Sequence, residues 1–258
     1  MKADAAMNDD QFEDAQGTPE NLPIVQDPLE VWRYLQRVPF DLDVLDQNRI
    51  VTAKRKHAAN RSFDMLRTRL LQTMKEQDWK RVAITSPTNN CGKTFVTANL
   101  AVSLSRLEEV FTMVVDLNLR NPGLADAFGI KPLESMQSYL EGRIDPQDFY
   151  LAHGRNLGLG LGSAPAENAS ELFQSTMTMD VLDEMEDLFC PNIVLFDLPP
   201  ALDHDDLLAF LPKVDAVLLV VGGGVSTTDE IERVEALIAG IKPLAGIVMN
   251  KSEGVVSN

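Results

Sequence analysis

Five short runs of the chain carry apolar, mostly β-branched residues without polar alternation. They are "KRVAITS" at 80–86, "VFTMVVD" at 110–116, "NIVLFD" at 192–197, "VDAVLLVV" at 214–221 and "LAGIVMN" at 244–250. A strand with one wet face alternates, so unbroken runs suit strands buried on both faces of a parallel sheet. Between them lie stretches of helical character at 93–107, 133–142, 170–189, 204–211 and 227–240. Upstream, Phe63, Leu66, Leu70 and Met74 recur at three- or four-residue spacing and predict a helix over 59–77. Strands alternating with helices predict an α/β fold, a doubly wound, mostly parallel sheet flanked by helices. From Pro28 to about Lys56 the apolar residues are scattered, Trp32 and Phe40 among them, and predict a short helix and extended pieces. Residues 1–27 are rich in polar side chains with little to bury and read as a disordered acidic tail. The expected organisation is therefore a tail at 1–27, a helical and extended appendage at 28–80, and a main domain at 81–258.

Composition narrows the functional classes. No run of about eighteen apolar residues exists to span a bilayer, and the acidic N-terminus is unlike a signal peptide. Two cysteines, Cys91 and Cys190, are too few for a disulfide framework and suit a reduced cytoplasm. The net charge of −16 argues against nucleic-acid or anionic-membrane binding by the whole surface. That charge is uneven: 1–46 carries −8, 48–81 carries +7 and 82–258 carries −15. The basic segment is either a solvated helix face or a docking surface for an acidic neighbour, such as another copy of the chain.

The first run leads into candidate chemistry. In "AITSPTNNCGKTFVTANLAVSL", residues 83–104, a strand, a polar turn and a helix meet at Gly92-Lys93-Thr94. Backbone N–H groups along Asn89, Asn90, Cys91, Gly92, Lys93, Thr94 and Phe95 can converge on phosphate oxygens, aided by the helix dipole. Lys93 would reach the β- and γ-phosphates of ATP, and the Thr94 hydroxyl would bind Mg²⁺. Two further strand ends carry acids: Asp116 closes "VVD" and Asp197 closes "VLFD", followed by Pro199-Pro200. Each alone suits a cap or a solvated strand end. All three motifs in order at one sheet edge suit a Mg²⁺–triphosphate site, with Thr94, Asp116 and Asp197 as metal-side ligands.

The combination "SPxxxxGKT", "VVDxxxR", "FDxPP" and "VMNK" resembles the bacterial tyrosine kinases of capsular and exopolysaccharide assembly, P-loop ATPases related to the Min and Par partition ATPases. The likeness runs from about Phe40 to Glu253 and includes "DLDVL" and "SAPAENASELFQS". It implies catalytic roles for Lys93, Asp116, Arg120 and Asp197, and an adenine-reading role for Asn250. It also explains Pro87, where most phosphate loops carry their first glycine, because kinases of this type carry Ser-Pro there.

Three departures bear on activity. The family's Asp-x-Asp-x-Arg reads Asp116-Leu117-Asn118-Leu119-Arg120, so Asn118 can offer the metal an amide oxygen but no charge. The family's Glu-x-x-Arg-x-x-Arg reads Arg61, Asp64, Arg67, which implies either a local Arg61–Asp64 pair or altered self-assembly. The usual C-terminal tyrosine cluster is missing; the chain holds only Tyr34, Tyr139 and Tyr150. Cys91 within the loop is read as a small residue that fits. The resemblance implies a cytoplasmic protein recruited to the inner membrane face by a membrane-embedded polysaccharide co-polymerase or chain-length regulator. It also implies homo-oligomers and no nucleic-acid partner. Tyrosine phosphorylation of itself or that partner stands against a second reading, a non-kinase ATP-dependent switch. A partition ATPase fits less well, lacking the early second loop lysine and a terminal amphipathic helix.

Overall fold

The computed structural model describes residues 28–54, 59–166 and 168–252. The segment read as an acidic tail, 1–27, lies outside them. The described strands are β1 (Gln36–Arg37), β2 (Arg81–Thr85), β3 (Thr112–Asp116), β4 (Leu151–His153), β5 (Leu157–Gly160), β6 (Ile193–Asp197), β7 (Ala216–Gly222) and β8 (Leu244–Asn250). They form one sheet in the order β1-β4-β5-β3-β6-β2-β7-β8, parallel at every pairing except the β4–β5 hairpin. The expected α/β architecture is present.

Eleven α-helices accompany it among the described residues: α1 (Pro28–Tyr34), α2 (Leu42–Gln47), α3 (Asn60–Gln77), α4 (Lys93–Leu104), α5 (Leu124–Phe128), α6 (Met136–Leu140), α7 (Pro146–Phe149), α8 (Ala169–Gln174), α9 (Thr176–Phe189), α10 (Asp206–Phe210) and α11 (Thr228–Ile238). Successive strand residues enter different cores. Ala83, Met113, Val115, Val194, Phe196, Val217 and Leu219 meet α1 and α6–α11 on one face. Val82, Ile84, Val114, Ile193, Leu195, Leu218 and Val220 meet α2–α5 on the other. Both sides of β2, β3, β6 and β7 are therefore apolar, which is why those runs lack alternation; β8, expected to be buried on both faces, is instead an edge strand with Ile247 and Met249 exposed.

Several boundaries differ from the sequence expectation. The helix expected over 170–189 is two, broken at Ser175, whose extended backbone (ψ 140°) and hydroxyl cap Met177 N–H at the start of α9. The 204–211 helix shrinks to α10 and passes into a 3₁₀ turn at Leu211–Lys213, where Pro212 cannot continue an α-helical ladder. The hairpin "LAHGRNLGLG" gave no strand signal because glycines replace β-branched residues there. Residues 28–37 pack into the same body: Val31, Trp32 and Leu35 are buried in the first core, and Trp32 Nε1–H donates to Phe189 O at 2.7 Å.

On α3, the local Arg61–Asp64 pair, one of the two alternatives read from the sequence, does not form. Asp64 turns toward the end of α4, accepting from Ser103 Oγ (2.9 Å) and pairing with Arg67 (3.2 Å) and Arg106 (3.5 Å). Two other cations already hold the carboxylate, and Arg61 is left exposed.

Candidate functional site

The carboxyl ends of β2, β3 and β6 lie side by side, and each feeds a loop. The loop after β2 reaches α4 through two left-handed residues, Asn90 (φ 65°) and Gly92 (φ 90°). A side chain at Gly92 is strained by its left-handed φ, and a Cβ there would also displace Asn250 Nδ2. Asn250, at the end of β8, donates to Cys91 O at 2.9 Å and fixes the loop. The loop wraps a cavity of about 210 Å³ lined by Ser86, residues 89–94, Asn118, Asn121 and Gly123.

Beneath that cavity sit two carboxylates. Asp116 and Asp197 are register partners on β3 and β6, and both are fully buried. Thr94 Oγ1 donates to Asp197 Oδ2 at 2.6 Å, and Lys93 Nζ lies 3.9 Å from the same oxygen. Thr97 Oγ1 lies 3.2 Å from Asp197 Oδ1. Asp116 accepts backbone N–H bonds from Gly123 and Leu124, both at 2.8 Å, and from Asn118 at 3.2 Å. Burial pushes the Asp116 carboxyl up to about 7, with the Asp197 charge adding to it and the backbone N–H groups opposing. Burial also raises Asp197, opposed by Lys93, Thr94 and Thr97. Two acids share one lysine, so a divalent cation would relieve the remaining negative charge.

The available ligands suit Mg²⁺. A hydroxyl, two carboxylates and the Asn118 amide supply only hard oxygen donors. Among the described residues no three His, Cys, Asp or Glu side chains converge, so phosphate oxygens and water would complete the shell. The Gly92 turn and the start of α4 offer N–H groups for phosphate.

The structure gathers Asn89, Asn90, Cys91, Gly92, Lys93, Thr94 and Asn118 at the cavity, with Asp116 and Asp197 below and Asn250 at the rim. Two expected residues stand apart. Phe95 turns its ring away to pack edge-on against Phe63, 5.9 Å between centroids, leaving only its backbone near the loop. Arg120 does not line the cavity; its guanidinium grips Asp206 through Nε (2.8 Å) and Nη2 (3.1 Å). Ser170 Oγ also reaches Asp206, at 2.7 Å. Burial works upward on the Asp206 carboxyl, but the Arg120 and Ser170 hydrogen bonds bring it below the usual range. Cys91 is buried, its Sγ 3.2 Å from both Thr88 O and Ser226 Oγ.

Sequence reasoning missed Asp203, which accepts from Asn89 Nδ2 at 2.5 Å, and Asp206. The only sequence signal was the acid-rich "DHDD" after Pro199-Pro200. With Ala201 N–H on Ser86 O (2.7 Å) and Leu202 N–H on Pro87 O (3.1 Å), the loops after β2 and β6 brace each other.

No family model matches the chain. Etk, a tyrosine-protein kinase of Escherichia coli K12, is 28% identical over 192 residues, covering 72% of this chain and 25% of Etk. The tyrosine-protein kinase YwqD of Bacillus subtilis is 24% identical over 208 residues, 80% of this chain and 86% of YwqD. Its curated relatives are bacterial tyrosine kinases. The chain spans about a quarter of the length of the Etk proteins it matches. Solved structures share the fold. The chimeric protein CapA2B2 superposes with a TM-score of 0.71 at 26% identity, over 85% of this chain and 95% of that one. The Pyrococcus furiosus cell-division ATPase MinD, at 24% identity, shares the fold, with a TM-score of 0.56 over 67% and 73% of the two chains. Among the described residues no helix is long and apolar enough to cross a membrane.

Proposed function

We propose that the chain binds Mg²⁺–ATP at the loop after β2 and is a tyrosine-kinase-like phosphotransferase of an exopolysaccharide or capsule system. The observation that carries this is the placement of Asp116 and Asp197, buried and register-paired, directly beneath Lys93 and Thr94. In this reading Lys93 contacts the β- and γ-phosphates, while Thr94 and Asp197 hold Mg²⁺ with help from Asn118. Asp116 accepts the proton of the attacking hydroxyl or organises the metal. Asn250, already against the loop, reads the adenine edge. Arg120 acts only after leaving Asp206, so its approach to phosphate is a rearrangement of the β3 loop. Residues 81–258 form the nucleotide-binding domain, 28–80 its N-terminal appendage, and 1–27 a tail. A membrane-embedded polysaccharide co-polymerase is the partner, and it recruits the otherwise cytoplasmic chain, which acts as a homo-oligomer without nucleic acid.

A second reading, an ATP-dependent switch without kinase activity, is favoured by one observation. Both oxygens of Asp116 already accept backbone N–H bonds, and its neighbour Asn118 brings no charge. Incubation with γ-labelled ATP, Mg²⁺ and a glutamate–tyrosine copolymer separates them. Labelled phosphotyrosine is the expected result; release of free phosphate alone supports the switch, and neither product contradicts both.

A further inference from the structure

Tyr34 is the one accessible tyrosine in the chain. The sequence holds three, all within the described residues. Tyr139 is fully buried and donates its hydroxyl to Val181 O at 2.8 Å. Tyr150 is fully buried as well, edge-on to Tyr139, Phe149 and Phe189. These two are core residues whose hydroxyls no second macromolecule can reach without unfolding the first face of the sheet. Tyr34, at the end of α1, is 81% exposed.

We propose that Tyr34 is a phosphate acceptor, modified by a second copy of this chain; the proposal rests on the phosphotransferase reading above. Intramolecular transfer is excluded by the sheet. Tyr34 stands two residues before β1 at one edge, whereas the phosphate loop follows β2, five strand positions away. At about 4.8 Å per step that is roughly 24 Å, far beyond the contact distance of a displacement. Charge favours docking between copies. Tyr34 is flanked by exposed Arg33 and by Arg37, whose guanidinium also donates to Trp32 O and Gly154 O, and the loop after β6 presents exposed Asp203 beside the cavity. In the step, Tyr34 Oη attacks the γ-phosphorus, the Oη–P bond forms and the bond to the β,γ-bridging oxygen breaks. The phenolic proton passes to Asp116, or to water if Asp116 only organises the metal, and ADP departs.

The test mixes a mass-tagged full-length Lys93→Met chain with the untagged wild type, γ-labelled ATP, Mg²⁺ and the copolymer, and maps the label. Label on Tyr34 of the tagged chain is expected, with a rate that rises with the square of protein concentration. In Tyr34→Phe the chain label is lost while copolymer labelling and melting temperature stay as in the wild type. Nitration of the nucleotide-free folded chain with tetranitromethane gives an independent reading and is expected at Tyr34 alone. Chain label that persists in Tyr34→Phe, or nitration of Tyr139 or Tyr150 in the folded chain, overturns the proposal. Label on the copolymer only overturns it while sparing the phosphotransferase reading. Label on neither overturns both.

Discussion

Asp116 and Asp197 face each other across two hydrogen-bonded strands, and neither reaches solvent. The raised Asp116 carboxyl has a consequence for the nucleotide-free chain. A carboxyl that keeps its proton longer in the folded state stabilises it below the usual carboxylate range. That contribution is lost as pH climbs through about 7, where the folded group ionises. The melting-temperature difference between wild type and Asp116→Asn is therefore expected to fall steadily from about pH 4 to pH 8, without Mg²⁺ or nucleotide. A flat or rising difference counts against a buried, charge-stressed pair. Asn118 carries the second prediction at this scale. Its Nδ2 donates to Asn121 O at 2.5 Å, so the amide holds the β3 loop as well as facing the cavity. An aspartate would add charge beside the metal but leave Asn121 O without its donor. Asn118→Asp is expected to raise phosphate turnover about tenfold, if about 1.4 kcal/mol of transition-state stabilisation is gained. It is also expected to lower the melting temperature of the nucleotide-free chain, because the part-buried hydrogen bond to Asn121 O is lost, a cost of about 0.5–1.5 kcal/mol. Steady-state phosphate release and thermal scans on one preparation read both effects.

β2, β3, β6 and β7 were legible because burial on both faces forces apolar runs; β8 carries the same kind of run but is an edge strand that leaves Ile247 and Met249 exposed. β1 was not, since two exposed residues carry no pattern, and the β4–β5 hairpin hides behind its glycines. The phosphate loop, Asp116 and Asp197 were legible as strand-end motifs. Arg120's partner was not: Asp206 lies 86 residues downstream, and only the fold makes the pair. The same holds for α1, whose weak local signal hides a docked element. Trp32 sits edge-on to Phe111 and Phe189 and is 2% exposed. Removing a buried aromatic of this size leaves a cavity, so Trp32→Ala is expected to cost about 3–5 kcal/mol. Urea unfolding should show a single transition with a lowered midpoint. A loss below about 1 kcal/mol would mean that residues 28–37 add little to the body they pack against.

At the scale of the molecule, one sheet edge concentrates acids on a chain of net charge −16. Asp116 and Asp197 lie beneath the cavity and Asp203 bonds Asn89 at its lining, while Lys93 is the one lining cation, because Arg120 is held by Asp206. A triphosphate entering this edge needs both Mg²⁺ to offset the buried carboxylates and Lys93 to meet its terminal phosphates. Calorimetric titration of ATP into wild type and Lys93→Met, each with and without Mg²⁺, tests this most directly. Binding to the wild type is expected only with Mg²⁺. Lys93→Met is expected to weaken it roughly ten- to a hundred-fold, the loss of about 1.5–3 kcal/mol from a charged hydrogen bond, with an unchanged circular dichroism spectrum. Equal affinity in the two proteins, or binding indifferent to Mg²⁺, would contradict the nucleotide site described here.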